Sequence, residues 1–399
     1  MQRADVIVVG LGAVGSAATY HLAKRGKRVR GFDSYHPPHS NGSSHGETRI
    51  TRLAIGEGEE YTPLAMRSHE LWSEIRRETG VNPLVACGGL IISNRCETKQ
   101  SHGVSGFLDN TLRAAQTYKI PHERLSATDI RRRFPQFRVA DHEEGYFEPS
   151  AGYLHVEACI ETQLELAKDR YGAELHTDTP IERYRAVSDG IEVITTSGET
   201  YQADQLLVSA GAWLPKLVKL DPPYNDLFRV TRQVMHWFDV PAPRQRFAPP
   251  AFPVFIWEPA GKAQPISGFP LTSLDASSGV KIATEGKDVV DPDSVDRTES
   301  QARIDATFQE YFGHCFPDLL PRCLNTRVCL YTEVEGGRFV IDRVPGNDRV
   351  LFASACSGHG FKHSPALGEA LAQTLVAGRS EIDLSPFSLA RLIARRACG

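Results

Sequence analysis

Residues 6–15 read Val-Ile-Val-Val-Gly-Leu-Gly-Ala-Val-Gly, and this stretch decides the fold of the first part of the chain. The four apolar residues predict a buried strand, and the alanine-rich residues 16–25 predict a helix. Gly10 permits a sharp turn between them, Gly12 lets backbone N–H groups approach a ligand, and Gly15 lets helix and strand pack closely. The segment therefore predicts a strand, a tight glycine turn and a helix.

Residues 29–32, after a glycine that suits the end of the helix, predict another strand, which ends at Asp33. An acid at this distance from Gly10 can accept hydrogen bonds from the ribose hydroxyls of a bound adenosine, and the preceding helix N-terminus favours a pyrophosphate. The whole unit predicts a Rossmann-type site for a dinucleotide and does not by itself distinguish NAD from FAD. The alternative is a glycine turn that packs a helix without holding a ligand.

The composition limits the class of protein. The chain has 399 residues, of which 41% are hydrophobic and 24% charged, enough for two globular domains. A net charge of −4 argues against nucleic acid or an anionic membrane as the main partner. We find no apolar run near the ~20 residues of a membrane span and no room for a signal peptide before the first strand, so we expect a cytoplasmic protein. The eight cysteines form no CxxC pair, so no metal site is predicted.

The remaining pattern predicts an α/β protein of two domains. Residues 181–209 read as three strands with two tight turns, which return to the first sheet. Alternation over residues 228–238, followed by short apolar stretches up to residue 284, predicts a second, mostly antiparallel sheet. We assign the Rossmann-type dinucleotide-binding domain and the substrate domain to discontinuous segments. The first comprises 1–86, 145–222 and 325–399, and the second comprises 87–144 and 223–324.

The last third of the chain carries two further informative stretches. Residues 327–332 read as a strand that places Cys329 and Tyr331 on the same face. An apolar strand from residue 350 then passes through Gly358 and Gly360 into a helix, a second glycine turn at a helix N-terminus. The positive end of that helix would favour an electron-rich group, such as the pyrimidine ring of a reduced flavin.

Taken together, the chain resembles the monomeric sarcosine oxidase and N-methyltryptophan oxidase family of FAD-dependent amine oxidases. The resemblance runs nearly end to end, and it implies that the Rossmann-type domain is a glutathione-reductase-like FAD-binding domain. The motifs that carry it, beyond the first glycine turn, are Pro37-Pro38-His39, residues 41–50 (Asn-Gly-Ser-Ser-His-Gly-Glu-Thr-Arg-Ile), Gly56-Glu57-Gly58, residues 147–152 (Phe-Glu-Pro-Ser-Ala-Gly), residues 329–332 (Cys-Leu-Tyr-Thr), residues 339–342 (Phe-Val-Ile-Asp) and residues 357–362 (Ser-Gly-His-Gly-Phe-Lys).

The resemblance implies an FAD that is joined covalently through its 8α-methyl group to Cys329. A thiolate is the nucleophile in such a bond, and positive charge from His45 or Arg49 could lower the pKa of the thiol. Those two residues would lie on the same side of the flavin, and Tyr331 would lie beside them in the catalytic set. Without the resemblance, Cys329 reads as a buried strand thiol.

Further roles follow from the same resemblance. Lys281 would promote the reaction with O2, because a fixed cation near the flavin stabilises the charge that forms on oxygen. Arg52 and Lys362 would bind the substrate carboxylate. For each of the three, the alternative is a solvated charge or a surface ion pair. The residues expected to contact FAD are Gly10, Gly12, Val14, Gly15, Asp33, Ser43, Ser44, Arg49, Ile181, Gly211, Cys329, Gly358, Gly360, Phe361 and Lys362.

Three positions depart from the family pattern. Ile55 and Ser267 stand where relatives have tyrosine, and Glu285 stands where they have histidine. The loss of two phenols leaves space, and Glu285 could hold a second amine or a guanidinium. We therefore expect Ser267 and Glu285 to contact a substrate larger or more polar than sarcosine.

These observations predict a monomeric oxidase that uses FAD to oxidise a secondary amino acid, N-methyl or cyclic, to an imine, while O2 is reduced to H2O2. One alternative is a dehydrogenase of the same fold that uses another electron acceptor. A second alternative is a flavin-binding protein without catalytic activity, and a third is a nicotinamide enzyme, which would be colourless.

Overall fold

The structure is a computed structural model that describes residues 3–94, 100–101 and 103–396. Cys96 and Cys398, two of the eight cysteines, lie outside these residues. Within the described part of the chain, no helix combines the length and the hydrophobicity that crossing a membrane requires.

The strands, in chain order, are β1 (Ala4–Val9), β2 (Val29–Phe32), β3 (Thr48–Thr51), β4 (Leu84–Ala86), β5 (Gly89–Asn94), β6 (Gln100–Ser101), β7 (Val104–Ser105), β8 (Glu123–Ser126), β9 (Glu143–Glu148), β10 (Gly152–His155), β11 (Glu174–His176), β12 (Ile181–Val187), β13 (Gly190–Thr195), β14 (Thr200–Val208), β15 (Arg229–Phe238), β16 (Val254–Glu258), β17 (Ile266–Phe269), β18 (Val280–Thr284), β19 (Cys323–Glu333), β20 (Val340–Val344) and β21 (Asn347–Ser354).

The α-helices are α1 (Ala13–Lys24), α2 (Thr62–Thr79), α3 (Phe107–Thr117), α4 (Ala127–Arg133), α5 (Val156–Glu165), α6 (Leu214–Leu217), α7 (Gln301–Thr307), α8 (Gly313–Cys315), α9 (Ser364–Ala377) and α10 (Leu389–Arg396). Two π-helical turns extend α5 and α7, at Leu166–Arg170 and Phe308–Phe312. Single 3-10 turns lie at Glu59–Tyr61, Gly211–Trp213, Arg244–Phe247, Glu335–Gly337, Phe361–His363 and Ser385–Phe387.

The first large sheet contains the predicted Rossmann-type unit. Its parallel part has the order β11-β2-β1-β14-β21, and β13 and β12 continue from the other half of β14 as an antiparallel meander. Helices α1 and α9 pack against each other over this sheet. Gly368 of α9 makes this approach possible, since a Cβ there would lie 2.4 Å from the Cβ of Ala17. The strand–turn–helix–strand prediction for the N-terminus is confirmed.

The second large sheet has the order β19-β15-β18-β17-β16-β5-β9-β8 and is antiparallel except for the pair β16–β5. The predicted mostly antiparallel second sheet is therefore confirmed. It also includes β9 and β19, so its hydrogen bonding extends past the boundaries predicted at residues 145 and 325. A third, small sheet has the strand order β3-β10-β4. The short strands β6 and β7 pair with each other in a hairpin.

The two large sheets bury separate cores. On the face of the first sheet that carries α1 and α9, aliphatic side chains of β1 and these helices pack with Trp72 of α2. The second sheet packs against a cluster rich in phenylalanine, in which the ring of Phe137 contacts Phe252 and Phe316 at centroid distances of 5.0 Å. Two rigid layers thus hold the loops that run between them.

Candidate active site

A continuous cavity of about 510 Å³ extends from the N-terminus of α1 to β17, β18 and β19 of the second sheet. Most of the residues predicted for the site lie in its wall. These are Gly10, Gly12, Val14, Asp33, Ser43, Ser44, Arg49, Arg52, Ile181, Gly211, Ser267, Cys329, Tyr331, Gly358, Gly360, Phe361 and Lys362. Gly15, His45, Lys281 and Glu285 lie outside the wall.

The first glycine turn has the geometry that the sequence predicts. Gly10 has a φ of +88°, and a Cβ there would lie 2.6 Å from the carbonyl oxygen of Ser209. A Cβ on Gly15 would lie 1.7 Å from the carbonyl oxygen of Gly10, so Gly15 serves the packing of α1 and does not line the cavity. A Cβ on Gly12 would lie at an ordinary contact distance of 3.7 Å from Ser44 Oγ, and the backbone there borders the cavity. The N-terminus of α1 can therefore receive an anionic group.

Asp33 lies in the wall beside this turn. Its Oδ2 accepts a hydrogen bond from the backbone N–H of Leu11 at 2.8 Å, and its Oδ1 accepts one from Tyr35 N–H at 3.0 Å. These bonds fix the carboxylate at the end of β2 and still leave acceptor capacity on both oxygens. A helix N-terminus for a pyrophosphate and a fixed acid for a ribose fit the ADP half of FAD.

Cys329 and Tyr331 lie at the other end of the cavity, both on the face of β19 that borders it, as predicted. Only 2% of Cys329 is exposed. Burial raises the pKa of the Cys329 thiol, and the nearby Arg49 guanidinium opposes this only in part. The charge of Arg49 thus lowers the pKa of this thiol as expected, but desolvation is the larger effect and the net pKa is raised.

Cys356 is a second thiol in the same part of the wall, and the sequence reasoning missed it. It stands at the start of the second glycine turn, two residues before Gly358. Burial raises the pKa of this thiol as well. Its position just before a glycine turn that was predicted to face the flavin could have identified it as a residue of the site.

Arg49 and His45 belong to the same sequence motif, but they differ in their position relative to the cavity. Arg49 borders the cavity, and its Nη2 donates to the carbonyl oxygen of Ser43 at 2.7 Å. His45 lies behind the wall and is 4% exposed. Burial, helped by the charge of Arg49, lowers the pKa of His45 to about 3, so the imidazole is neutral at physiological pH.

Lys281 also lies behind the wall. Its Nζ donates to the carbonyl oxygens of Gly46 at 2.8 Å and Thr48 at 2.7 Å, and it is 3.9 Å from the ring centroid of Phe269, which does border the cavity. Burial, and to a lesser extent Arg49, lowers the pKa of Lys281 well below its usual value. Lys281 therefore ties the loop before β3 to the second sheet.

Arg52 and Lys362 converge, as predicted, and the structure adds Glu57 between them. Arg52 Nη2 is 2.6 Å from Glu57 Oε2, and Lys362 Nζ is 3.5 Å from Glu57 Oε1. All three residues border the cavity and are at most 5% exposed. Burial lowers the pKa of Lys362 to about 8, with Glu57 opposing the shift. Two cations and one carboxylate leave a net positive site that suits one carboxylate of a ligand.

The three positions that depart from the family pattern have different surroundings. Ser267 borders the cavity and pairs in register with Ile256 and Ala283, which also border it. Ile55 is fully buried in the core of the first sheet. Glu285 follows the end of β18 and lies outside the wall, which differs from the expected contact with the substrate.

The comparisons with known proteins agree with this geometry. The sequence model of the family described as FAD dependent oxidoreductase (DAO) matches residues 5–374. The chain belongs to this family. It is 39% identical to a monomeric sarcosine oxidase of Streptomyces avermitilis, over 98% of both chains. It is 34% identical to an N-methyl-L-tryptophan oxidase of Yersinia pestis, over 97% of this chain and 99% of that protein.

Solved structures of the same fold include NikD, an amino acid oxidase essential for nikkomycin biosynthesis, in its open form. It superposes with a TM-score of 0.79 at 21% identity, over 97% of this chain and 98% of that chain. The L-proline dehydrogenase of P. horikoshii superposes with a TM-score of 0.78 at 18% identity, over 99% of both chains. The predicted family and fold class are thus confirmed.

Proposed function

We propose that this FAD-dependent oxidoreductase oxidises a secondary amino acid, N-methyl or cyclic, to an imine and reduces O2 to H2O2. The observation that carries the proposal is the buried set of Arg52, Glu57 and Lys362, which borders the same cavity as Cys329 and Arg49. A carboxylate site beside the predicted flavin attachment point would hold an amino acid with its amine and Cα near the reactive end of the cofactor. The curated relatives act, by their names, on sarcosine and N-methyl-L-tryptophan.

The FAD would lie along the cavity, with its ADP half at the turn of Gly10 and Gly12 and its reactive half near Cys329. Asp33 would accept from the ribose hydroxyls. The remaining wall residues predicted to contact FAD, among them Ser43, Ser44, Ile181, Gly211 and the segment Gly358–Lys362, lie between or at these two ends. When bound, FAD supplies the acceptor for the hydride equivalent of the amine C–H bond.

Cys329 is the residue proposed for a covalent thioether with FAD. Burial raises the pKa of this thiol and so disfavours the thiolate, while nearby positive charge favours it. Arg49 is the wall cation that would favour the thiolate and the negative charge of the flavin. His45 is neutral and lies outside the wall, close enough to Arg49 for that charge to lower its pKa, and it would assist attachment of the flavin from there.

Arg52 and Lys362 would bind the substrate carboxylate, the first with a directional fork and the second as a point charge. Glu57 would keep the site from carrying two uncompensated cations. Tyr331 would border the amine from β19. Burial raises the pKa of its phenol far above its usual value, so this residue would act as a neutral hydrogen-bonding group.

The substrate proposed is larger than sarcosine, because two small side chains, Ser267 and Ala283, border the cavity next to each other in register, between Ile256 and Met235. Since Glu285 lies outside the wall, we do not assign it a second substrate amine. The protein is further proposed to act as a cytoplasmic monomer whose FAD-binding and substrate domains follow the two large sheets.

Lys281 is the residue proposed to promote the reaction with O2, acting from behind Phe269. Its position outside the wall, with Nζ held by two carbonyl oxygens, favours a second candidate function, a dehydrogenase of the same fold with another electron acceptor.

The test is to mix the purified yellow protein, without oxygen, with sarcosine, larger N-methyl amino acids, pipecolate and proline, and then to admit air. The proposal expects bleaching of the flavin absorbance by a larger secondary amino acid and rapid recovery with H2O2 formation. Bleaching with slow recovery in air would favour the dehydrogenase. A flavin that no amine bleaches would contradict both.

A further inference from the structure

The adenosine end of the cavity is bordered by a loop that belongs to the second sheet. This loop, residues 288–297, connects β18 to α7, and we call it the outer loop. Both of its ends are fixed to β15. Val290 N–H donates to the carbonyl oxygen of Val230 at 2.9 Å, and the buried Arg232 side chain donates from Nε to the carbonyl oxygen of Asp296 at 2.9 Å. Between these two anchors, the middle of the loop reaches the first domain.

The middle of the outer loop contacts the segment after β14. Asp293 Oδ1 accepts a hydrogen bond from Trp213 Nε1 at 2.6 Å, and its Oδ2 is paired with Lys216 Nζ. Asp291 Oδ1 accepts from the same Lys216 Nζ at 2.5 Å. Trp213, Lys216 and Asp293 all border the cavity. The loop therefore closes part of the wall and does not merely lie near it.

The far end of the outer loop contacts a different segment of the first domain. Arg297 donates to the carbonyl oxygens of Ser40 at 3.1 Å and Asn41 at 2.6 Å. These two residues follow Pro37, Pro38 and His39, which border the cavity beside Asp33. The outer loop thus joins both segments that flank the predicted adenosine position.

The ion pairs that hold the middle of the outer loop are exposed to solvent and can break. The side chains of Lys216, Asp291 and Asp293 are 41%, 54% and 57% exposed. Ion pairs with this much exposure are weak and are screened by salt. Trp213 also packs at 5.8 Å, between ring centroids, from Tyr35 in the opposite flank, so release of Trp213 would widen the cavity mouth.

We propose that the outer loop is a latch over the adenosine half of the FAD site, held by the contacts of Asp293 with Trp213 and Lys216. When the latch opens, FAD can enter or leave; when it closes, the adenosine half is enclosed before any bond to Cys329 forms. The proposal concerns uptake of the cofactor and is independent of which amine the protein oxidises.

The experiment measures the rates of FAD binding and release by the quenching and recovery of flavin fluorescence. The full chain carries Cys329→Ser, so that FAD binds reversibly. Asp293→Ala in this background should raise both rates by about threefold to tenfold, as expected for the loss of one hydrogen bond and one exposed pair. Salt at about 1 M, where the Debye length is near 3 Å, should speed the parent more than Asp293→Ala, in which only the Lys216–Asp291 pair of the two remains to be screened.

The matched control is Asp288→Ala, which removes the same charge from the same loop. Its exposed side chain is 3.5 Å from the exposed Arg303 of α7 and, within the part of the chain that the structure describes, forms no hydrogen bond or ion pair with the flanks of the cavity. This variant should leave both rates within about twofold of the parent. Lys216→Met removes the ion pair from the other partner, and should accelerate both rates as Asp293→Ala does.

Three results would overturn the latch. One is a faster release with unchanged binding, because a residue that only contacts FAD changes release alone. The second is no difference between Asp293→Ala and Asp288→Ala. The third is a rise in both rates in Asp293→Ala but not in Lys216→Met, provided that the circular dichroism and thermal midpoint of Lys216→Met match those of the parent.

Discussion

Arg52 and Glu57 form an ion pair of 2.6 Å that is almost completely buried in the wall of the cavity. Lys362 approaches the same carboxylate from the start of α9. A buried pair of this kind contributes little net stability, because desolvation of the two charges offsets their attraction. Its consequence is electrostatic: Glu57 compensates one of two cations, and the other remains available to a ligand.

Replacement of Arg52 by Met should weaken binding of a substrate or inhibitor carboxylate by about 10- to 100-fold, the usual effect of losing a charged hydrogen bond. Lys362 remains to pair with Glu57, so the protein should still fold and bind FAD. Titration of the flavin absorbance with a monocarboxylate checks this. Arg124→Met, which removes an exposed arginine paired with Glu144, is the control. Equal affinities in both variants would rule out Arg52 as a carboxylate ligand.

The pKa of Lys362, lowered to about 8 by burial, predicts that carboxylate binding depends on pH. The charged lysine binds the anion, and a bound anion raises the lysine pKa. Affinity should therefore be full below about pH 7 and should fall about tenfold between pH 7 and 9. The measurement uses a monocarboxylate that carries no amine, so that only the protein titrates in this range.

Lys362→Met supplies the control for that titration. Its affinity should be lower at every pH and flat between pH 7 and 9, because Arg52 keeps its charge throughout. A slope that persists in Lys362→Met would assign the pH dependence to another group.

Much of the fold follows from local sequence patterns. Glycine spacing around residues 10–15 and alternation over residues 228–238 each depend on neighbouring residues only, and both elements form where they were predicted. The assignment of strands to one sheet or the other is harder to predict from the sequence, because β9 and β19 join the second sheet by pairing with strands far away in the chain.

The site was less accessible to sequence reasoning for the same reason. Glu57 contacts Lys362 across 305 positions, and no local pattern brings them together. Lys281 was correctly placed on a strand, but its direction depends on register: it lies opposite Trp237 and Phe269, and these rings cover it. The role of Lys281 stays a prediction.

Cys329→Ser should abolish covalent attachment of FAD, whereas Cys356→Ser should preserve it. Both thiols border the cavity, Cys329 buried and Cys356 partly buried, so the pair of variants separates attachment from simple proximity. Acid precipitation of each purified protein checks the outcome: the pellet should be yellow for the parent and for Cys356→Ser and colourless for Cys329→Ser. A colourless parent pellet would contradict covalent attachment, and a colourless Cys356→Ser pellet alone would assign it to Cys356.

Lys281→Met should slow reoxidation by O2 by about 100-fold or more and leave flavin reduction by substrate within about threefold, if Lys281 supplies the positive charge for oxygen reduction. Stopped-flow absorbance separates these two half-reactions. Because Nζ also holds the carbonyl oxygens of Gly46 and Thr48, a purely structural role would slow both and lower the thermal midpoint. Lys281→Arg tests whether charge alone suffices. Unchanged reoxidation in Lys281→Met would favour the dehydrogenase.

Ser267→Tyr should shift the substrate preference of the protein towards small amines. Ser267 and Ala283 are neighbours in register, flanked by Ile256 and Met235, and all four border the cavity. A phenol here would fill the space available to a substrate side chain, and steric overlap of this size costs about 1–3 kcal/mol. We expect kcat/KM for bulky N-methyl amino acids to fall about 10- to 100-fold, while that for sarcosine changes by less than about threefold. Ser267→Ala, which adds no volume, should change neither. Equal losses for bulky and small amines in Ser267→Tyr would show that this strand position does not select substrate size.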